Sequence, residues 1–465
     1  MLNTWVFMAF VIISWLFYWL VVPVRFRALF LALASFGYFS YYYPREMLFL
    51  LALSVVVYAA GFLIRKGQAD RKWLVAGLVV GLVAILGYFK YASFLAETLN
   101  LLLRPLSVSR LSVPEVFIPL GISYFTFKMI HYLVDIGQGK IPRHHLVEFL
   151  NYIFFFPILV SGPIERFQPF QAQTAAMQGT GRGDPDRPEF GAEDLRAMAP
   201  VTDRGDLDRP VGGEAAGNRP PPVPDRANIG RDDLKARSGE ALRHRPWQGF
   251  NIDDVYAGLP RIVSGLFKKR VLADSLAATA LLLQQPDLTG TQYWLASFAY
   301  TFQLYFDFSG YSDMAIGIAR LFGYRIMENF NWPYLARNVS DFWKRWHMSL
   351  TGWFRDYLFI PLGGSRGTLG FIIRNTLIVM AVTGLWHGAG WHFVFWGLYH
   401  AGGLIVLRLY RKYLMPGLAR RGDLLESRPA TVVSVLLTFN FVNIGWIFFA
   451  CDAVQSLYVL TRMFS

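Results

Sequence analysis

Three segments decide the fold: FDFSGYSDMAIG (306–317), ENFNWPYLARNVSDFWKRWHMSLTGWFRDYLFIPLGG (328–364) and GLWHGAGWHFVFWGLYH (384–400). Each one sets charged or hydrogen-bonding side chains among aromatic and aliphatic residues. A lipid-facing helix would exclude these groups, because an ionisable side chain near the centre of a bilayer costs at least ~2.5 kcal/mol. We therefore expect them to face a cavity that the protein itself lines.

The chain as a whole is apolar enough for a membrane protein. Of its 465 residues, 54% are hydrophobic and 17% are aromatic, a composition more apolar than that of ordinary soluble domains. Apolar runs recur that approach the ~20 residues a helix needs to cross ~30 Å of hydrocarbon. These runs are residues 5–24, 27–43, 47–64, 74–89, 292–306, 371–386, 391–409 and 431–450. The sequence predicts an all-α polytopic membrane protein.

The net charge of +13 is explained by short basic loops rather than by a nucleic-acid partner. Cytoplasmic loops of membrane proteins carry an excess of Lys and Arg. The loops at Arg25–Arg27 and 65–72 are basic, whereas YYYPRE (41–46) between them is not. This pattern predicts an N-terminus outside the cytoplasm. The basic loops 366–374 and 408–421 lie two crossings apart, so we expect them on one side as well.

Two apolar stretches in the first half do not look like simple crossings. Residues 113–135 are interrupted by Pro119, Gly121 and Lys128, which suggests a broken or tilted helix buried among others. Residues 147–163 end in SGPIERF (161–167), whose Gly and Pro stop a helix. One explanation is that this stretch enters the membrane and returns, but the sequence alone leaves the question open.

Residues 168–250 differ in composition from everything else. They hold 10 of the 24 prolines, balanced charges and almost no aromatic residues. Because such a segment buries little apolar area, we expect a disordered insertion, with a docking tail as the alternative. It separates N-terminal membrane helices (1–167) from a C-terminal part (251–465) that contains the three segments quoted above as its core, together with further membrane helices. The C-terminal part opens with an amphipathic helix at 250–276 whose basic end suits anionic lipid.

Two histidines are the best candidates for chemistry. A neutral imidazole, with a pKa near 6.5, can take a proton from a hydroxyl at neutral pH. His387 lies in the small-residue turn WHGAGW (386–391), and His347 follows a basic pair in a segment too charged for a crossing. The alternative for each is a core histidine bonded to a carbonyl. Asp313 could orient a histidine, or equally pair with Arg320 or Arg355.

The sequence offers no pattern for a metal site. HxxxH and HExxH are both absent, and the single cysteine, Cys451, excludes an intrachain disulfide and any site built from several cysteines. We therefore expect no bound metal.

At these residues the sequence resembles the membrane-bound O-acyltransferase (MBOAT) family, specifically its bacterial branch that acylates alginate, other polysaccharides and teichoic acid. The resemblance is carried by YFDFSGYSDMAIGIARLFGYRIMENFNWPYL (305–335), DFWKRWHMSLTGWFRDYLFIPLGGSRG (341–367) and TGLWHGAGWHFVFWGLYHA (383–401). Weaker similarity appears at SGPIERF (161–167) and GLFKKRVLADSL (265–276). The resemblance implies about 10–12 membrane helices, with re-entrant and amphipathic helices, around a central tunnel.

The resemblance also implies an activity. It suggests transfer of an acetyl or similar small acyl group from a cytoplasmic thioester, acetyl-CoA or acyl carrier protein, toward hydroxyls of an exported polysaccharide. An extracytoplasmic acetyltransferase partner, lipid contacts, no bound cofactor and a bacterial inner-membrane location are expected. D-alanylation of teichoic acid is the alternative within the family, and a polytopic transporter is the alternative outside it.

By position, His387 matches the catalytic histidine of the family and His347 its second position. His387 would deprotonate the acceptor hydroxyl or a relay nucleophile, and His347 would hold the donor or polarise its carbonyl. Both imidazoles are expected to line one continuous cavity. The expected substrate-binding residues are Trp346, Asp313, Trp386 and Asn329.

Overall fold

The computed structural model describes residues 4–66, 71–106, 112–113, 119–160, 162–178, 249–415 and 427–465. Helices account for the secondary structure of this part of the chain, which contains no β-strand. In the N-terminal part the helices are α1 (Trp5–Leu20), α2 (Arg27–Tyr42), α3 (Pro44–Lys66), α4 (Arg71–Leu103), α5 (Ile122–Gly137), α6 (Leu146–Phe154) and α7 (Phe167–Gln178). The all-α prediction is confirmed.

Within the described residues 249–415 and 427–465 there are nine further helices, some extended by a π-helical turn. They are α8 (Ile252–Phe267), α9 (Asp274–Ala280), α10 (Gly290–Leu321), α11 (Val339–Trp343), α12 (Met348–Phe354), α13 (Leu369–His387), α14 (Trp391–Leu409), α15 (Arg428–Ala450) and α16 (Ala453–Met463). Each of the eight apolar runs found in the sequence lies largely within one helix.

Five described helices are long and apolar enough to cross a membrane. They are α3, α4, α13, α14 with its π-helical extension, and α15. This number is lower than the ten to twelve implied by the family resemblance. Helices α1, α2 and α5 are too short to be included, because each has 16 residues, or about 24 Å of helix. Helix α10 is long enough but too polar, and it carries charged side chains.

The interrupted run at 113–135 contains a buried helix in its described part, from residue 122 onward. Gly121 adopts a left-handed conformation, with φ of 69°, and α5 begins at the next residue. Nearly every side chain of α5 is buried, and the Lys128 ammonium donates to the Tyr152 carbonyl at 2.5 Å. Helix α6 has nine residues, or about 14 Å, so it is too short to cross a bilayer. This length is compatible with the re-entrant explanation.

The expectation of disorder from residue 168 onward is wrong at its start. Residues Phe167–Gln178 form α7, in which Phe170 is fully buried and stacks on Tyr324 with ring centroids 4.7 Å apart. The Thr174 hydroxyl lies 3.1 Å from the Tyr324 hydroxyl. Aromatic and amide side chains at helical spacing therefore tie α7 to the core. The remainder of the expected insertion, residues 179–248, lies outside the described residues.

The predicted amphipathic helix is confirmed, and two of the three cations at its basic end pair with carboxylates of α10. Helices α8 and α10 cross so closely that a Cβ on Gly265 would lie 2.5 Å from the Gly310 carbonyl oxygen. Close approach of backbones at small residues is a common way for membrane helices to pack. It brings Lys268 within 2.6 Å of the Asp313 carboxylate, and Lys269 pairs with Asp307.

The two basic loops of the C-terminal part lie on the same side, as predicted. The Arg408 guanidinium at the end of α14 lies 3.4 Å from the Ser365 hydroxyl, just before α13 begins. Helix α13 therefore starts at the basic end of this helix pair and carries His387 to its opposite end.

Candidate active site

One cavity of about 360 Å³ brings both candidate histidines together. His347, His387 and Trp386 line it, together with Phe308 and Lys90. Backbone and side chains from the segments 119–124 and 160–164 complete the wall. The cavity thus draws on helices α4, α5, α10 and α13, and the structure places both imidazoles where the sequence predicted them.

The end of α13 and the turn after it position His387. Helices α13 and α14 pack so closely that a Cβ on Gly384 would lie 2.1 Å from the Phe393 carbonyl oxygen. His387 is the last residue of α13, and Gly388 leaves the helix in an extended conformation. The imidazole is packed against Trp386, Trp396 and Phe449, with ring centroids 4.8–5.0 Å apart. Three aromatic side chains therefore hold the imidazole in place, and His387 also lines the cavity.

His347 lies in a strained turn between two short helices. Its backbone has φ of 44°, a left-handed conformation that is uncommon for a residue with a side chain. The turn is held by backbone bonds, in which the Met348 N–H donates to the Asn329 carbonyl at 3.0 Å and the Thr351 N–H donates to the His347 carbonyl at 3.0 Å. Strain of this kind persists where the surrounding structure fixes it, often at functional sites.

Asn329 sets the tautomer of His347. The Asn329 side-chain oxygen accepts a bond from the Ser349 hydroxyl at 2.6 Å and one from the Ser349 backbone N–H at 3.4 Å. It also lies 3.3 Å from His347 Nδ1, a contact that favours the tautomer in which Nδ1 carries the hydrogen and donates it. The neutral ring therefore has its lone pair on Nε2.

Trp386 is the common neighbour of the polar groups in this wall. Its ring centroid lies 6.0 Å from that of His347 and 4.8 Å from that of His387. The Lys90 ammonium lies 5.8 Å from the same indole. Phe308 packs edge-on against His347 at 4.7 Å. The histidines thus face a mainly aromatic environment.

Two of the four expected substrate-binding residues, Asn329 and Trp346, lie behind the cavity wall. Asn329 is fully buried, and its amide group is occupied by His347, Ser349 and Ser312. Trp346 is buried in an aromatic cluster, 4.9 Å from Trp446. Trp386 lines the cavity, as expected for a substrate contact.

Asp313 takes part in helix packing instead of orienting a histidine. Its carboxylate accepts from Arg261 at 3.0 Å and from Lys268 at 2.6 Å, and it therefore joins α10 to α8. Neither partner suggested by the sequence is used, because Arg320 pairs with Asp254 at 2.6 Å and Arg355 pairs with Asp356 at 2.9 Å. The close glycine contacts between α8 and α10 bring Arg261 and Lys268 of the neighbouring segment within reach of the Asp313 carboxylate.

The cavity also contains a cation that the sequence reasoning missed. The Lys90 ammonium donates to the Ser123 hydroxyl at 3.2 Å and to the Trp386 backbone carbonyl. The neighbouring Tyr91 hydroxyl donates to the Leu385 carbonyl at 2.6 Å. Both residues satisfy carbonyls at the end of α13, which a helix leaves without intrahelical partners. The available signal was a lysine in GYFKYASF (87–94), at the end of an apolar run.

The chain is similar over most of its length to enzymes that acylate cell-surface polymers. A model of the membrane-bound O-acyltransferase family matches residues 278–446. A probable alginate O-acetylase, AlgI, from Azotobacter vinelandii is 32% identical over 453 residues, which cover 95% of this chain and 73% of that protein. The peptidoglycan O-acetyltransferase of Helicobacter pylori is 30% identical, covering 93% and 72%. The teichoic acid D-alanyltransferase of Bacillus subtilis is 25% identical, covering 71% and 68%.

Proposed function

Because the chain belongs to the membrane-bound O-acyltransferase family, and is therefore an O-acyltransferase of the membrane, we propose that it transfers an acetyl or similar small acyl group to hydroxyls of an exported polysaccharide. The donor in this proposal is a thioester, acetyl-CoA or an acyl carrier protein, that arrives from the cytoplasm. We assign the protein to the bacterial inner membrane, where its several apolar helices are embedded.

Similarity favours polysaccharide acetylation over D-alanylation. The alginate O-acetylase of Azotobacter vinelandii matches 95% of this chain, whereas the teichoic acid D-alanyltransferase of Bacillus subtilis matches 71%. D-alanyl transfer is kept as the second candidate because the same fold and histidines would serve it. The transporter alternative is set aside, since membership of an enzyme family accounts for the buried polar groups.

The observation that carries the proposal is the meeting of His347 and His387 in one cavity around Trp386. Acyl transfer needs a carbonyl carbon within about 3–3.5 Å of the attacking oxygen and a base that reaches the proton of that oxygen. We assign the role of base to His387, whose ring is fixed by aromatic neighbours and carries no hydrogen bond to the described residues. The attacking hydroxyl belongs to the polymer or to a relay nucleophile on an extracytoplasmic acetyltransferase.

For His347, the geometry favours holding a substrate over polarising the carbonyl of the donor, the two roles that the sequence suggested. Its Nδ1–H is directed to Asn329, so the nitrogen left for a substrate, Nε2, is an acceptor. A ring in this tautomer cannot donate to the carbonyl oxygen of a thioester. We propose instead that His347 holds a substrate N–H or O–H group, or receives a proton, next to His387.

A test of the proposal is the O-acetyl content of exported polysaccharide in cells whose only copy carries His387→Ala. We expect acyl transfer to fall at least ~100-fold, since a lost acid–base group costs that much, while the amount of protein in the membrane is unchanged. His392→Ala is the matched control, because His392 is near in sequence but outside the cavity wall. Normal acetylation by the His387 variant would overturn the assignment, and D-alanyl esters in place of acetyl esters would favour the second candidate.

A further inference from the structure

The oxygen of the acyl group needs a hydrogen-bond donor in the cavity. In acyl transfer, the hydroxyl oxygen attacks the thioester carbonyl carbon, its proton passes to an imidazole, and the carbonyl π electrons move onto oxygen. The C=O bond then re-forms as the C–S bond breaks, and the thiolate takes the proton from the imidazolium. The transient oxyanion needs a positioned donor, which is often the largest contribution to such catalysis. His347 cannot be this donor through Nε2.

We propose that the Lys90 ammonium stabilises this oxyanion, an inference that rests on the proposed acyl transfer. Lys90 lines the same cavity as both histidines and lies beside the indole that separates them. A lysine ammonium has three hydrogens to donate. Two are used by Ser123 and the Trp386 carbonyl, which leaves one for a ligand in the cavity.

The two bonds of Lys90 also fix where its charge lies. Ser123 is in the second position of α5, and Trp386 immediately precedes His387. The ammonium is therefore tethered to the backbone of the proposed base and to the opposite wall of the cavity. A donor held in place before the reaction has no reorganisation cost when charge develops.

Charge balance supports the same role. Among the described residues, no carboxylate forms an ion pair with Lys90, in contrast to Lys268 and Lys269 on α8, which each pair with an aspartate. An ionisable group inside a membrane protein is costly and is generally kept for function. A thioester that becomes an oxyanion supplies a negative charge at the required moment, and the lysine keeps its proton throughout.

A purely structural explanation must be separated from this one. Lysine side chains near the end of a helix bond its last carbonyls, and Lys90 does so for α13. A neutral donor of similar length, such as glutamine, could make the same bond. The cation itself is needed only if negative charge develops next to it.

The experiment compares Lys90→Gln, Lys90→Arg and Lys90→Met with wild type in lipid nanodiscs, using labelled acetyl-CoA and the polysaccharide with its extracytoplasmic acetyltransferase. We expect Lys90→Gln and Lys90→Met to lower kcat about 100-fold or more with little change in KM, as for a lost oxyanion donor. Lys90→Arg should retain more activity than either. Tyr91→Phe is the matched control, since it removes the adjacent bond to α13 without removing a charge, and should stay within a few fold of wild type.

Each outcome decides one question. Wild-type turnover by Lys90→Gln would show that holding the helix end is sufficient, and would overturn the oxyanion role while leaving the proposed function intact. Equal activities of the Arg and Gln variants would overturn it too. If Lys90→Met fails to fold, the comparison of Gln with Arg still decides. Failure of the wild-type protein to transfer any acyl group would instead contradict the proposed function itself.

Discussion

At the residue scale, the chemistry of the site depends on partners that are far apart in the sequence. His347 and His387 could be found because each follows a tryptophan in an unusually polar segment. For Lys90 the only signal was a lysine at the end of an apolar run, because the Trp386 carbonyl that it bonds is 296 positions away. Asp313 was misassigned for the same reason, since its partner Arg261 lies 52 positions upstream. Sequence spacing identifies reactive side chains but not the contacts that assign their roles.

Asn329 provides a test of how the tautomer of His347 is set. Asn329→Ala removes the acceptor shared by His347 Nδ1 and Ser349, and leaves buried donors unpaired. We expect the free energy of unfolding to fall by about 1–3 kcal/mol, and acyl transfer to fall as well because Nε2 loses its fixed lone pair.

Thermal unfolding in detergent and acyl transfer, both measured beside Asn331→Ala, would check this. Asn331 is partly exposed, and it bonds Arg345 through its backbone N–H and carbonyl. Full activity of Asn329→Ala would mean that the ring orientation does not depend on this bond.

At the element scale, composition predicts helices well and their lengths and packing poorly. A run of twenty apolar residues in a membrane must satisfy its backbone internally, so the eight runs had to be helices. Helix α7 was not predicted, because the composition was averaged over 168–250. That average does not reveal a helix of twelve residues whose buried face carries aromatic side chains. The close crossing of α8 and α10 could not be foreseen, since four glycines matter only when they face one another.

This crossing leads to a prediction about Gly265. A Cβ there would lie 2.5 Å from the Gly310 carbonyl oxygen and 2.8 Å from the Met314 backbone nitrogen, neither of which is free to move. We expect Gly265→Ala to lower the free energy of unfolding by about 1–3 kcal/mol, as overpacking usually does.

Gly402→Ala in α14 is the matched control, because a Cβ at Gly402 has no atom within 4 Å. There the better helix propensity of alanine should leave stability unchanged or raise it by up to about 1 kcal/mol. Equal melting temperatures for the two variants would show that α8 and α10 do not pack as tightly as described.

At the scale of the whole molecule, the cavity is assembled from both halves of the chain. Lys90 and Ser123 come from the N-terminal half, whereas His347 and His387 come from the C-terminal half. The two halves also meet at the turn between α1 and α2. There the Gln178 side chain donates to the Arg25 carbonyl, and a Cβ on Gly249 would lie 3.9 Å from the Arg27 guanidinium. The residues that flank 179–248, Gln178 and Gly249, thus lie against the same turn.

This geometry makes residues 179–248 replaceable, in contrast to α7. We expect a Gly/Ser linker of about ten residues in their place to leave the detergent melting temperature within a few degrees of wild type. The ends already lie near each other, and each halving of a flexible loop lowers its closure cost by about 0.6 kcal/mol. Extending the replacement to 168–248 should lower the melting temperature strongly. It removes the stacking of Phe170 on Tyr324 and the hydrogen bond from Gln171 to Glu148. A large loss of stability in the first variant would show that 179–248 packs against the core, and equal stability of both would show that α7 does not.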